Sequence, residues 1–263
     1  MASCNRKTAP PKTKGFLGLP LMAHHAPMNT QKLLLWWGLA TLSGWACAAD
    51  ADRVRLPGWW VDTTEVTIAR FNRYATATGL LTESERAGGG FEYDGGWVRR
   101  PGWTWRQPDG QTPASDRLPA VHLTFEEAQG FCHWAGGRLP TAAEWMASAY
   151  TELRQRPPAP WTKGQTYPWP TGNTPQGANT NGPDPWPRAA PAGATVAGVN
   201  GLHDMGGNVW EWVTDARGGE RRTMGGSWWY GPAPMAADHQ AWKPHGFYAV
   251  YIGFRCVYPV QDR

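Results

Sequence analysis

Glycine and proline restrict the fold of this chain more than any other feature of its sequence. The 263 residues include 32 glycines and 24 prolines, and only 17% of the residues are charged. Because both residues destabilise helix interiors, this composition excludes a coiled coil and a helical bundle. The 18 tryptophans exclude a charge-rich disordered chain, which lacks aromatic residues. We therefore expect a globular domain built largely from loops around a sizeable core.

The net charge of +4 belongs to the N-terminal segment. Residues 1–48 contain five basic residues and no acidic residue, which leaves 20 basic and 21 acidic residues in the rest of the chain. A body with almost no net charge lacks the electrostatic attraction that binds phosphate backbones. We therefore expect no nucleic-acid partner.

Residues 28–48 have the composition of a secretory signal peptide. A short polar start with Lys32 precedes 14 apolar residues at 33–46, and Ala46 and Ala48 supply the small residues of a cleavage site. The apolar run is shorter than the roughly 20 residues of a membrane-spanning helix. We therefore expect export without a stable membrane anchor.

This interpretation divides the chain into three parts. Residues 1–27 are predicted to be a non-native or disordered upstream extension, and residues 49–263 form the folded domain. The protein is then periplasmic or secreted, and Cys47 leaves lipid attachment as an alternative. In that compartment the remaining cysteines, Cys132 and Cys256, are either a disulfide or two buried thiols, and the oxidising environment favours the disulfide.

Local signals predict an α+β domain. Capping boxes at Thr124 and Thr141 begin two helices, and Thr67 can cap another. Residues 88–110 show no periodicity and are expected to be a loop. Alternating apolar residues predict short strands at Trp59–Glu65, Val209–Thr214, Gly225–Trp229 and Ile252–Val257. The expected fold has low regular secondary structure, small antiparallel sheets and two early helices.

Residues 157–201 carry almost no secondary-structure signal, and bound cations or a linker between domains would explain such a stretch. Two oxygen-rich segments, Asn179–Asp184 and Asp204–Glu211, could bind Ca²⁺, which prefers carboxylate, amide and carbonyl oxygens. Turns without an ion explain the same residues. The sequence pattern leaves both alternatives open.

Five ordered motifs identify the chain as a member of a known family. They are WVDTTEVTIARFNRYA, PAVHLTFEEAQGFCHWAGGRLPTAAEWMASA, GLHDMGGNVWEWVTD, GGSW and GFRC, and the similarity runs from about residue 56 to residue 258. This order resembles the sulfatase-modifying-factor domain, the fold of the formylglycine-generating enzyme. The resemblance implies a single domain related to C-type lectins and stiffened by two Ca²⁺ ions. It also implies a disulfide between Cys132 and Cys256.

The resemblance assigns ligands to both ions. The first set is Asn179, Asp184 and the carbonyls of Thr180 and Trp186. The second set is Asp204, Glu211 and the carbonyls of Gly207 and Val209.

The family's catalytic cysteines are missing. The formylglycine-generating enzyme uses copper held by a cysteine pair shortly after the GGS motif, and here Tyr230 and Met235 fall at those positions. Neither side chain is a thiolate, so a soft Cu(I) ion loses both ligands. Formylglycine generation is therefore not expected. The residues alone assign no ligand to copper or iron.

Aromatic and histidine residues remain where the catalytic segment lies. The candidate cleft is formed by the segment Trp228–Tyr251 and contains Trp228, Trp229, Tyr230, Met235, His239, Trp242, His245 and Tyr248. Family branches without the cysteine pair include a periplasmic branch required for oxidative maturation of pyoverdine and a branch that accompanies copper nitrite reductase. The resemblance therefore implies an exported oxidative maturation factor for a periplasmic protein or a siderophore-type, peptide-like metabolite. The alternative is a non-catalytic module that binds a ligand or protein on its lectin-like face.

Overall fold

The computed structural model describes residues 52–239 and 241–260, which lie within one unit of the chain, Trp45–Arg263. The predicted upstream extension and the predicted signal peptide fall outside the described residues. None of the helices described is long and apolar enough to cross a membrane.

Threonine side chains cap the helices. Each N-cap hydroxyl accepts a hydrogen bond from the backbone N–H at the third helical position, and α2, α3 and α4 have complete capping boxes. The sequence predicted three of these helices, and the single turn α2 was not predicted. The helices are α1 (Ile68–Thr78), α2 (Glu83–Arg86), α3 (Phe125–Trp134) and α4 (Ala142–Tyr150).

Nine short strands form three sheets in the described chain. The sheet orders are β1-β2-β9, β3-β4 and β7-β6-β5-β8. The small antiparallel sheets expected from the sequence are present, and the described strands add one parallel pair, β5 with β8. The strands are β1 (Arg53–Leu56), β2 (Trp59–Asp62), β3 (Gly89–Tyr93), β4 (Trp97–Pro101), β5 (Trp210–Arg217), β6 (Glu220–Met224), β7 (Ala241–Pro244), β8 (Ile252–Gly253) and β9 (Val257–Pro259).

Two local predictions were wrong. Residues 88–110, expected to be a loop, contain the β3–β4 hairpin. Residues 225–229, expected to be a strand, form a turn because Gly225 and Gly226 have φ angles of 94° and 78°. Left-handed backbone at two successive residues cannot continue a strand. The chain therefore leaves β6 sharply and brings residues 228–230 to the surface of the core.

Helices α1 and α3 pack on an aromatic core that contains the disulfide, whereas α4 packs in a second apolar cluster. The Phe131 ring of α3 lies 5.8 Å from Phe71 of α1 and 5.4 Å from Phe254, measured between ring centroids. The Cys132–Cys256 disulfide joins α3 to the segment before β9, as the resemblance implied. As expected, residues 157–201 are almost without regular structure; a 3₁₀ turn at Val199–Gly201 is their one described helix.

Candidate functional site

The segment that follows the glycine turn builds an aromatic cluster around Tyr251. The ring centroids of Trp228, Trp229 and Tyr230 lie 6.5, 6.2 and 5.9 Å from that of Tyr251. Trp210, the first residue of β5, extends the group because its ring lies 5.8 Å from Tyr230. We call these five residues the Tyr251 cluster.

The Tyr251 cluster contains buried hydrogen-bond donors without acceptors. The indole nitrogens of Trp210 and Trp228 are buried and complete no hydrogen bond in the described part of the chain. The buried hydroxyl of Tyr251 lies near the phenol of Tyr230 without a well-aligned hydrogen bond. Burial, followed by the nearby phenol of Tyr230, raises the pKa of Tyr251, so its hydroxyl keeps the proton. Unpaired buried donors destabilise a fold, and they are typical of sites that accept a ligand.

Tyr230 and Met235 lie in different environments. Tyr230 is half-buried within the cluster, whereas Met235 is fully buried in a 3₁₀ turn. The Met235 carbonyl accepts a 2.6 Å hydrogen bond from the Tyr150 hydroxyl, and its side chain packs closely against Gly206. Met235 is therefore a packing residue and does not line a cleft.

The other predicted cleft residues lie in separate places in the structure. His239 joins the Tyr251 cluster, with its ring centroid 5.6 Å from that of Trp210, and burial lowers its pKa. His245 lies at the end of β7, where its exposed Nδ1 is 2.6 Å from Glu126 Oε1. Tyr248 is buried against Phe91 of β3.

Trp242 lies in β7 under the guanidinium of Arg217, whose Cζ is 4.7 Å from the ring centroid. Of the eight predicted cleft residues, four therefore gather around Tyr251 and Trp210: Trp228, Trp229, Tyr230 and His239. Tyr251 is the last residue of the cleft segment expected from the sequence, although it was not singled out there. Trp210 was missed, because it looks like an ordinary apolar residue of a strand. The unpaired polar atoms of both residues show only in the structure.

The first predicted calcium set contains an unpartnered buried oxygen. The Asn179 amide donates to Arg188 O and Asn208 Oδ1, at 2.9 and 3.0 Å, which fixes its orientation. Its Oδ1 is buried and accepts no hydrogen bond from the described chain. The Asp184 carboxylate closes the loop by accepting from the N–H groups of Thr180 and Trp186. The residues present therefore fit a calcium ion, and Asn179 and Asp184 would supply its side-chain ligands.

The second predicted calcium set contains buried carboxylates, which a divalent cation would neutralise. Asp204 and Glu211 are buried, and burial together with these two carboxylates raises the pKa of the buried Glu65. Arg255 contacts Glu211 through nitrogen–oxygen distances of 2.7–2.9 Å, and the ion pairs of the described residues leave the buried Asp204 carboxylate without a cation of its own. A divalent cation held by Asp204, Glu211 and the predicted carbonyls of Gly207 and Val209 would offset the excess negative charge.

Calcium needs no cluster of charged side chains. No group of three or more His, Cys, Asp or Glu side chains arranged for a metal occurs in residues 52–239 and 241–260. Both predicted calcium sets use two side chains and two carbonyl oxygens, a composition that Ca²⁺ accepts. The assignment of two calcium ions stays a prediction.

The sequence profile of the sulfatase-modifying factor enzyme 1-like domain matches residues 24–260. The chain belongs to this family. The formylglycine-generating enzyme of Mus musculus is 34% identical over 198 residues, which cover 64% of this chain and 51% of that protein. The inactive C-alpha-formylglycine-generating enzyme 2 of Mus musculus is 30% identical over 228 residues, covering 73% and 70%. The chain thus spans about half the length of the first of these relatives.

Solved structures share the fold at low sequence identity. PvdO from Pseudomonas aeruginosa superposes with a TM-score of 0.57 and 19% identity, covering 77% of this chain and 80% of that one. CarF gives a TM-score of 0.55 and 20% identity, covering 80% and 99%. The formylglycine-generating-enzyme-like fold expected from the motifs is therefore confirmed.

Proposed function

We propose that this chain is an exported oxidative maturation factor for a periplasmic protein or a siderophore-type metabolite, and that it does not generate formylglycine. The observation that carries the second part is the state of the cysteines. The described residues contain two cysteines, Cys132 and Cys256, and both are fully buried in the disulfide. Neither is available as a thiolate nucleophile or as a soft copper ligand.

The Tyr251 cluster is the proposed substrate site. Three of its residues, 228–230, follow the glycine turn, in the segment where the family resemblance places the catalytic cysteines. The Trp210 indole and the Tyr251 phenol would donate hydrogen bonds to carbonyl or carboxylate oxygens of a substrate, and the rings of Trp229 and Tyr230 would cover the substrate and exclude water. The redox-active group would come with the substrate or a bound metal, and dioxygen would accept the electrons.

Oxygen uptake tests the proposal. Protein purified from the periplasm is mixed with periplasmic extract of the same organism, with copper or iron added, and dioxygen is followed with an electrode. We expect uptake that depends on the protein. A synthetic cysteine peptide of the kind that formylglycine-generating enzymes oxidise should stay unchanged by mass spectrometry. Formylglycine in that peptide, or no uptake with any fraction, would contradict the proposal.

Two hydroxyl deletions locate the activity. Tyr251→Phe removes a buried hydroxyl that lies near the Tyr230 phenol without a well-aligned hydrogen bond, so the fold should keep most of its stability while uptake falls at least tenfold. Tyr167→Phe is the control: it removes the hydroxyl of a buried tyrosine outside the Tyr251 cluster, which accepts a hydrogen bond from the Thr162 N–H. Uptake should then be unchanged. Equal effects of both substitutions would contradict the assignment of the site.

A non-catalytic binding module is the second candidate. The relative named as inactive, which shares 30% identity over 228 residues, favours it, since that protein keeps the domain without the activity. In this case the purified chain would retain a periplasmic ligand without consuming dioxygen. The same electrode experiment, followed by mass spectrometry of whatever co-purifies, separates the two functions.

A further inference from the structure

A groove of about 590 Å³ lies beside Trp228, on the surface formed by residues 108–121 and 186–191. Five prolines and two alanines line much of it, together with Leu118, Val121 and Val250. Arg188 supplies the one positive charge among the described lining residues, and Asp109 the one carboxylate. An apolar groove with few polar groups is typical of a site for a small ligand.

Arg188 is held in place by aromatic rings and one carboxylate. Its Cζ lies 5.1 Å from the ring centroid of Trp103 and 5.4 Å from that of Trp228. Its Nη2 donates to Glu92 Oε1 at 3.0 Å. Two stacked indoles and a fixed ion pair restrict the rotamers of the arginine, so its orientation is set before any ligand binds.

The pairing of Arg188 is incomplete. Arginine can donate through both outer nitrogens to a carboxylate, but Glu92 takes only Nη2 because its other oxygen accepts from Arg100. Arg188 Nη1 is buried and meets no acceptor anywhere in the described ranges. The Trp228 indole nitrogen, in a side chain that is only 7% exposed, has no acceptor there either. Two residues that line the groove, Arg188 and Trp228, therefore each have a donor without a partner.

The Asp109 carboxylate, which also lines the groove, does not accept a hydrogen bond from Arg188 or Trp228. Asp109 Oδ1 accepts a 3.2 Å hydrogen bond from the Gln111 N–H, and no hydrogen bond joins it to Arg188. An incoming group must therefore bring its own acceptor. The chemistry that matches a stacked guanidinium, an indole N–H and an apolar wall is a carboxylate on a flat apolar body.

We propose that the Arg188 groove binds the carboxylate of an aromatic or apolar acid, with the carboxylate on Arg188 and Trp228 and the apolar body along the proline wall. The acid is a free aromatic carboxylate or the C-terminal carboxylate of a peptide. The proposal concerns binding alone and goes beyond the oxidative function, because it requires neither a metal nor dioxygen.

Calorimetric titration of the whole protein tests it with two pairs of probes. The first pair is 2-naphthoate and 2-naphthamide, and the second is acetyl-Ala-Phe as the free acid and as the C-terminal amide. Each acid should bind at least tenfold more tightly than its amide. The tighter acid identifies the source of the natural carboxylate, and either order supports the site. Equal binding of acid and amide, or no binding of either acid at millimolar concentration, would overturn the proposal.

Matched arginine variants localise the effect. Arg188→Gln should reduce binding of the acids to that of the amides. Arg106→Gln is the control, because Arg106 also stacks on a tryptophan, Trp105, with its Cζ 4.1 Å from the ring centroid, and pairs with Glu85 at 2.9 Å. Arg106 does not line the groove. Equal losses in both variants would show a general charge effect and contradict the assignment.

Trp228→Phe keeps the test decisive if Arg188→Gln fails to fold. The phenyl ring preserves most of the apolar wall and removes the indole N–H. The acids should lose several-fold in affinity and the amides less, and thermal melting checks that the variant is folded. Unchanged binding of the acids to a folded Trp228→Phe protein would contradict the role of this donor.

Discussion

His122 gives the folded protein a pH-dependent stability whose size follows from its surroundings. The ring is fully buried, and its Nε2 lies 2.8 Å from the carbonyl oxygen of Pro108. Because a carbonyl only accepts hydrogen bonds, Nε2 carries the hydrogen of the neutral ring. Nδ1 is buried without a partner in the described chain, so a proton there would be an unpaired buried charge.

Burial lowers the pKa of His122 from 6.5 to about 4, and the guanidinium of Arg188 acts in the same direction. As the pH falls, the unfolded chain therefore takes up this proton before the folded chain does. The stabilising effect is fully present above pH 6.5, decreases between pH 6.5 and 4, and is lost below pH 4. At 1.36 kcal/mol per pKa unit, the decrease is about 3 kcal/mol.

Urea unfolding of the protein and of His122→Asn at pH 7.5, 5.5 and 4 measures this decrease. Asparagine tolerates the left-handed backbone at this position, where φ is 57°. The smaller side chain leaves a cavity, so the variant is less stable at pH 7.5. Its deficit should shrink by about 3 kcal/mol towards pH 4, since carboxylates common to both proteins cancel in the difference. A deficit that stays constant from pH 7.5 to 4 would refute the reasoning.

Three further predictions concern the disulfide, a glycine and the first calcium set. Replacing Cys132 and Cys256 by alanine opens a loop with a sequence separation of 124 residues. In the chain-entropy model this should reduce the free energy of unfolding by about 5 kcal/mol. An unchanged midpoint of urea unfolding would contradict this prediction. Gly90→Ala should destabilise the fold by several kcal/mol because its Cβ would overlap a buried imidazole ring, whereas Gly96→Ala, which meets no atom within 4 Å, should change stability by less than about 0.5 kcal/mol. Equal melting temperatures for the two glycine variants would be evidence against this packing. Calcium at about 100 times its dissociation constant should stabilise the protein by about 2.7 kcal/mol, and Asn179→Ala should remove that effect. A melting temperature that EGTA does not change would contradict calcium binding.

Local signals in the sequence predicted the helices well. Each threonine cap satisfies backbone donors within the same turn, so four residues, from the threonine to the third helical position, suffice to mark where a helix begins. The β3–β4 hairpin was missed although its turn contains Asp94 and Gly95, a pair that favours tight hairpins. The glycines and tryptophans around it hid the alternation of the two strands.

The candidate site was only partly predictable because its contacts join distant segments. The position of residues 228–230 followed from the GGSW motif, yet the ring on which they pack, Tyr251, lies some 20 residues later. Arg188 stands in a proline-rich segment without periodicity, and Trp103 and Trp228 come to it from separate loops. The spacing of residues along the chain does not predict contacts between segments this far apart. Buried donors without partners can be recognised only in the folded structure.

The most direct test of the proposed function compares the periplasm of cells with and without this gene by mass spectrometry. The account predicts one protein or peptide-like metabolite that, only when the gene is present, is oxidised by loss of two hydrogens or gain of oxygen, with no formylglycine at its modified residue. Expression of the unmodified protein should restore that species and Tyr251→Phe should not. Identical periplasms, or formylglycine as the modification that depends on the gene, would contradict the account.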